Sequence, residues 1–261
     1  MTAIPNLPSE EAGPVFYVFA REGETPDSPL ALTTGRGPAG DRLAYWDETD
    51  GDRDSKQVLW ARYSQTLSGS GRPVGRPLDG RLHPGRQYGT MLHRYCGLGA
   101  CPARTEDGRH LHLVTDDERL ETGAVRTVHP PVCLDHAAAA ANSPRFRGGY
   151  TALLVRTSAI SGVLGTPCRP AGLGVRLSSG GQQFVPYSEK EARRWVLAFG
   201  LVRDLTDYEV IADLDEFLLE SAADRLAGPS PSALPAGAVR MGAGARVAAV
   251  RSRVRRHQVV P

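Results

Sequence analysis

Residues 93–144 read HRYCGLGACPARTEDGRHLHLVTDDERLETGAVRTVHPPVCLDHAAAAANSP and hold three of the four cysteines in the chain. Cys96 and Cys101 form a C-x4-C pair with Gly97 and Gly99 inside it. Cys133 and His136 form a C-x2-H pair after Pro130-Pro131 and at the start of the helix former AAAAA (137–141). Asn142 suits the end of that helix and Pro144 stops it. Two close pairs of thiol and imidazole ligands constrain a chain strongly, because a metal between them fixes both turns at one point. The plain alternative is a set of buried thiols with a surface histidine. Cys168, in GTPCRP, competes with His136 for the fourth position.

Between the pairs, RHLHLVT and GAVRTVH flank DDERLET, which predicts a β-hairpin. The order is then a glycine-containing knuckle, a hairpin, and a second knuckle at a helix N-terminus. That order resembles the treble-clef zinc finger over about 50 residues. The resemblance implies zinc on Cys96, Cys101, Cys133 and His136. C-x4-C departs from the more usual C-x2-C, and a histidine as fourth ligand is less usual than a cysteine. A helix N-terminus favours a thiolate at Cys133. Treble clefs also form the core of HNH nucleases. His110 and His112 fall on one face of the expected strand, where they could hold a second metal, and His129 follows on the second strand. The expected helix carries no histidine beyond His136, which speaks against that activity. A solvated strand face is the expectation for His110 and His112. A catalytic zinc on the three cysteines would need a nearby base, for which Glu106 and Asp107 are the candidates in sequence.

The other segments predict an α+β fold. Residues 1–14 are expected to be disordered. Residues 15–92 form an irregular N-terminal segment, with strand-prone runs at 15–20 and 57–63 and a linker rich in Gly, Pro and Arg at 68–87. The zinc module spans 93–148. A small antiparallel sheet domain spans 149–226, with strands at 149–163, 173–178, 182–187 and 208–214. Gly180-Gly181 is expected to turn the second strand directly into the third. SEKEARRWVLAFGLVRDL (188–205) predicts an amphipathic helix packed on that sheet, because Ser188 and Glu191 make a capping box and Trp195, Phe199 and Val202 share a face. A short helix is expected at 215–226. Residues 227–261 read as a flexible tail.

Composition restrains the functional reading. The net charge of +2 gives no global case for a polyanion partner. Of 31 basic residues only Lys56 and Lys190 are lysines, a skew that GC-rich coding explains. The chain is similar in this respect to cytoplasmic proteins of Arg-rich, high-GC bacteria. Two local patches remain: Arg145 and Arg147 beside Phe146 and Tyr150, and Arg246, Arg251, Arg253, Arg255 and Arg256 in a stretch without an acid. The acidic run at 50–61 lacks the glycine and glutamate of a calcium loop. There is no Walker A, dinucleotide or nucleophile-elbow motif. The start lacks a basic, apolar leader pattern, and no run of 18 apolar residues suggests a membrane span. These features point to a cytoplasmic, zinc-binding regulatory or accessory protein that meets nucleic acid through its arginines. A zinc hydrolase, an HNH-like nuclease and a protein–protein adaptor are the alternatives.

Overall fold

The computed structural model describes residues 16–69, 71–172, 174–227 and 254–258. In chain order the strands are β1 (Phe19–Arg21), β2 (Leu32–Gly37), β3 (Gly40–Tyr45), β4 (Leu59–Trp60), β5 (Pro77–Leu82), β6 (His110–Val114), β7 (Val125–Thr127), β8 (Thr151–Ala171), β9 (Gly174–Leu177), β10 (Gln183–Pro186), β11 (Val196–Ile211) and β12 (Val254–Gln258). The helices are α1 (Pro84–His93), α2 (Leu134–Ala141) and α3 (Leu214–Ala227). The fold is α+β. Among the described residues, no helix is long and apolar enough to cross a membrane.

Two long strands organise the rest. β8 and β11 pair antiparallel from Val196↔Pro167 to Ile211↔Ala152, with several register shifts that let such long strands twist. β6, β10 and β9 pair with the outer edge of β8. β4, β7 and β12 pair with the other edge of β11, β4 in parallel and the others antiparallel. Ribbons β1–β5 and β2–β3 stand outside this sheet. At the β6 end both faces of the sheet are covered. Ala152 and Leu154 pack with Leu111, Leu113, Ala137, Ala140 and Cys96 on one face. The alternating residues Leu153 and Val155 pack with Val114, Val125, Leu205 and Tyr208 on the other. Each fully buried leucine among them contributes about 1.5–3 kcal/mol.

Several sequence expectations give way here. Residues 188–205 are not a helix: a 3-10 turn covers Ala192–Trp195 and β11 begins at Val196. A strand hydrogen-bonded along both edges and covered on both faces reads as a continuous apolar run, which periodicity cannot tell from a buried helix. The expected strand at 208–214 is the end of β11, and α3 starts at Leu214. β9 and β10 do not pair with each other; each pairs with β8. β6 and β7 do not form a ladder together either, since β6 joins β8 and β7 joins β11. The expected linker at 68–87 contains β5 and the first turn of α1. Pro84 opens α1 and His83 caps it, accepting from the Arg86 amide at 3.4 Å. α1 is pinned to β11 by Gln87, whose amide group donates to the carbonyls of Val128 and Leu201 and accepts from the Leu201 amide. Arg203 closes the other end of α1 by donating to the Met91 carbonyl at 3.0 Å. The strand expected at 57–63 contracts to β4, and of that expected at 15–20 only Phe19 and Ala20 are strand, in β1, with residue 15 outside the described residues. The expectation for 1–14 falls outside the described residues, as does most of 227–261, except that 254–258 is a strand.

Gly162 and Gly165 sit where neighbours cross β8 most closely. A Cβ on Gly162 would stand 2.3 Å from the Val185 carbonyl, and one on Gly165 2.6 Å from that of Leu197. Gly162→Ala should therefore destabilise the protein by about 2–3 kcal/mol in urea unfolding, an overpacking cost. Gly148→Ala, with nothing near the added carbon, should be close to neutral.

Candidate metal centre

The first knuckle follows α1. Arg94, with φ 57°, ends the helix in a left-handed residue and redirects the chain into Cys96. The knuckle closes on itself through Ala100 N–H to the Cys96 carbonyl at 2.9 Å and Cys96 N–H to the Cys101 carbonyl at 2.8 Å. Ala100 takes φ 53° to make the turn. Gly97 N–H donates to the Pro131 carbonyl at 2.9 Å, which ties the first knuckle to the second. The N-terminal segment adds Tyr17 N–H to the Leu98 carbonyl at 3.0 Å. Cys133 is the N-cap residue of α2 and His136 stands one turn on, its amide donating to the Cys133 carbonyl at 3.1 Å.

These turns bring Cys96, Cys101, Cys133 and His136 together, with ligand atoms all within 4.8 Å of one another. Nδ1 of His136 lies 3.0 Å from Cys133 Sγ and 3.6 Å from both Cys96 Sγ and Cys101 Sγ. Cys101 Sγ and Cys133 Sγ are 3.5 Å apart. Four sulfur and nitrogen ligands around one tetrahedral zinc stand about 3.5–3.8 Å apart, so the set has the size of a metal site. Cys96 is fully buried and Cys101 and Cys133 are half-buried. Burial, with the neighbouring thiolate charge of Cys96 added, pushes the Cys133 thiol up to about 12. Burial raises Cys101 as well. Three thiolates this close repel one another, and a divalent cation reverses that balance.

Gly99 shows how tightly the knuckle is drawn. A Cβ there would lie 2.5 Å from His136 Cε1 and 3.2 Å from Cys101 Sγ. The sequence showed glycine in the knuckle, but only the tertiary contact shows that Gly99 faces two ligands at once.

The remaining sequence candidates lie elsewhere. Cys168 is on β8 in a separate cluster with Leu32, Leu43 and Leu59, so His136 and not Cys168 completes the set. His110 and His112 are not on a solvated face. They pair with Val155 and Leu153 and are 6% and 2% exposed. Strand alternation turns them to the face opposite Leu111 and Leu113, away from the metal cluster. Burial, then the charge of Arg94, holds His110 down to about 4. Burial, then the charge of His110, holds His112 down to about 3. Burial and the Arg145 charge keep His129 well below its usual range. Asp107 is bound by Arg109 and Thr105, and no carboxylate joins the ligand group. Arg145 is in an ion pair with Glu118 at 2.9 Å, and Glu118 in turn accepts from Thr127 at 2.5 Å. Phe146 is buried, so its ring is part of the core. Arg147 is exposed, without an ion pair among the described residues. Arg255 and Arg256 lie on β12 opposite Val210 and Glu209, while Arg251 and Arg253 lie outside the described residues.

No family model matches this chain, and no curated protein or solved structure matches it with significance.

Two outcomes follow from this geometry. Gly99→Ala should release metal at lower chelator concentration than the parent chain, read by a colorimetric zinc dye, because the added methyl displaces His136 and Cys101. The buried histidines set an acid limit. The unfolded chain takes up their protons near pH 6.5, whereas the folded chain resists until about pH 4 and 3. Their contribution is therefore complete above pH 6.5 and falls away as pH drops toward 4, by about 1.4 kcal/mol per pH unit for each histidine. His112→Leu should flatten that slope by one histidine's worth in unfolding curves measured between pH 6.5 and 4.

Proposed function

We propose that this chain is a zinc-stabilised accessory protein with a regulatory role, and that its zinc is structural. The observation that carries this reading is the closed Cys3His set. Four protein ligands fill a tetrahedron and leave no position for water or substrate. Three thiolates and an imidazole also favour zinc over hard, oxygen-seeking cations. The ion would join the turn after α1 to the N-terminus of α2, and through Leu98 and Gly97 it would hold the residues that precede β1. A catalytic centre needs an open position and a base beside it. The ligand group contains no carboxylate, and His110 and His112 face away across the sheet.

The partner in this reading is nucleic acid, met through arginines at the surface. Support comes from the exposed Arg147 and from the acid-free stretch 246–256, of which Arg255 and Arg256 are on a strand at the sheet edge. Arg145 contributes less than its sequence context suggests, because Glu118 already holds it.

Elemental analysis of freshly purified protein should give one zinc per chain. His136→Cys should keep the zinc and the melting temperature, whereas Cys133→Ala should lose both. Metal retained by Cys133→Ala with an unchanged melting temperature would refute the structural-zinc reading. Binding to a labelled single-stranded oligonucleotide should weaken steeply with salt, and removal of residues 246–261 should weaken it at least tenfold. Binding indifferent to both would remove nucleic acid as the partner and leave the zinc assignment standing.

A further inference from the structure

Away from the metal centre, three separated segments enclose a cavity of about 340 Å³. They are the β2–β3 turn, the loop at 56–57 and the stretch 190–194 that leads into β11. Its walls carry five cationic side chains, Arg42, Lys56, Lys190, Arg193 and Arg194, against one carboxylate, Glu191. The only two lysines of the chain, 134 positions apart in sequence, thus meet at one cavity.

The charge there is not neutralised from within. Glu191 is taken by Arg194 at 2.5 Å. Glu48 serves Arg42 at 2.9 Å but is shared with Arg53 at 2.7 Å. Arg193 donates to the Tyr187 carbonyl at 2.9 Å and has no ion pair among the described residues, nor do Lys56 and Lys190. Arg42 Nε is buried without a hydrogen-bond partner. A chain of net charge +2 has no general surplus to explain such a concentration. Cations gathered around one cavity repel one another, and an anion among them reduces that repulsion.

The walls are also held in place. Arg194 donates to the Asp41 carbonyl and so ties the β2–β3 turn to the segment before β11. Gln57 holds a left-handed φ of 65°, an uncommon conformation for a residue with a side chain. Arg42 donates to the Gln57 side chain at 3.3 Å. The two lysines stand at the rim on flexible stems, where they can close on a ligand as point charges.

We infer that this cavity binds a small, multiply phosphorylated compound. Its volume is at the small end of ligand cavities. No aromatic side chain lines it, so a base would find no ring to stack on, which favours phosphoryl groups over a nucleobase or a nucleic-acid strand. Arginine supplies the fixed forks and lysine the mobile charges that phosphoryl groups accept.

The test is calorimetric titration of the zinc-loaded full-length chain at low salt with fructose 1,6-bisphosphate, a ring with two phosphoryl groups. Saturable binding of one molecule per chain is expected, with no heat from unphosphorylated fructose. Lys56→Ala with Lys190→Ala should weaken it at least tenfold and leave the ligand-free melting temperature unchanged, since both side chains are exposed. Arg147→Ala should bind as the parent does. Absence of saturable binding, or equal affinity in the double variant, would overturn the inference. So would an oligonucleotide that displaces the bisphosphate and itself loses affinity in the double variant, because the cavity would then belong to a nucleic-acid surface.

Discussion

The β8–β11 ladder is the constraint on which the other elements depend. It runs from Val196↔Pro167 to Ile211↔Ala152, and every other strand of the large sheet joins one of its two edges. Shorter strands that have no ladder of their own, such as the two residues of β4 and the three of β7, are stable only as additions to it. Gly162 and Gly165 mark how closely its neighbours pass. α1 is fastened to it by Gln87 and Arg203, which satisfy backbone groups on both elements in places that water does not reach.

The metal cluster is built against that sheet. Leu111 and Leu113 of β6 and Ala137 and Ala140 of α2 share one core with Cys96, so the ligands rest on packed elements and not on free loops. The bonds from Gly97 to Pro131 and from Tyr17 to Leu98 tie the two knuckles and the N-terminal segment to one another. A metal bound there would engage Cys101 and Cys133, whose thiols burial pushes up. A buried charge pair, Arg86 with Glu24 at 2.6 Å, joins α1 to the turn after β1. Both charges left water to form it, so desolvation offsets much of their attraction.

The two concentrations of unusual chemistry are thus at different places in the fold. One is soft: three thiols and an imidazole, half-buried or buried, with no carboxylate in the ligand group. The other is hard and open: lysines and arginines around a cavity whose single carboxylate is already taken. The first is a group that could bind a metal ion. The second concentrates positive charge on residues that the chain brings together from three segments. The turn from β2 to β3 and the approach to β11 reach that cavity from distant parts of the chain, so a linear reading shows two rare lysines but not that they share a cavity.

The Cys3His cluster was legible in the sequence because its signal is local. C-x4-C and C-x2-H spacings, the proline pair and the alanine run lie within one 52-residue stretch, and turn and helix geometry depend on near neighbours. α2, α3 and the strand character of 151–163 could be read for the same reason. Pro84 was a legible start for α1, though the surrounding glycines and arginines drew the reading toward a linker. What the tertiary structure alone decided was pairing. Whether VLAFGLV coils or extends depends on whether β8 and β4 are there to take its hydrogen bonds. Whether β6 turns to β7 or to β8 depends on contacts 40 residues away, and with that choice His110 and His112 passed from a wet surface to a dry one. Arg145 is taken by Glu118, and Lys56 and Lys190 line one cavity, because long-range packing sets distances that no local pattern encodes.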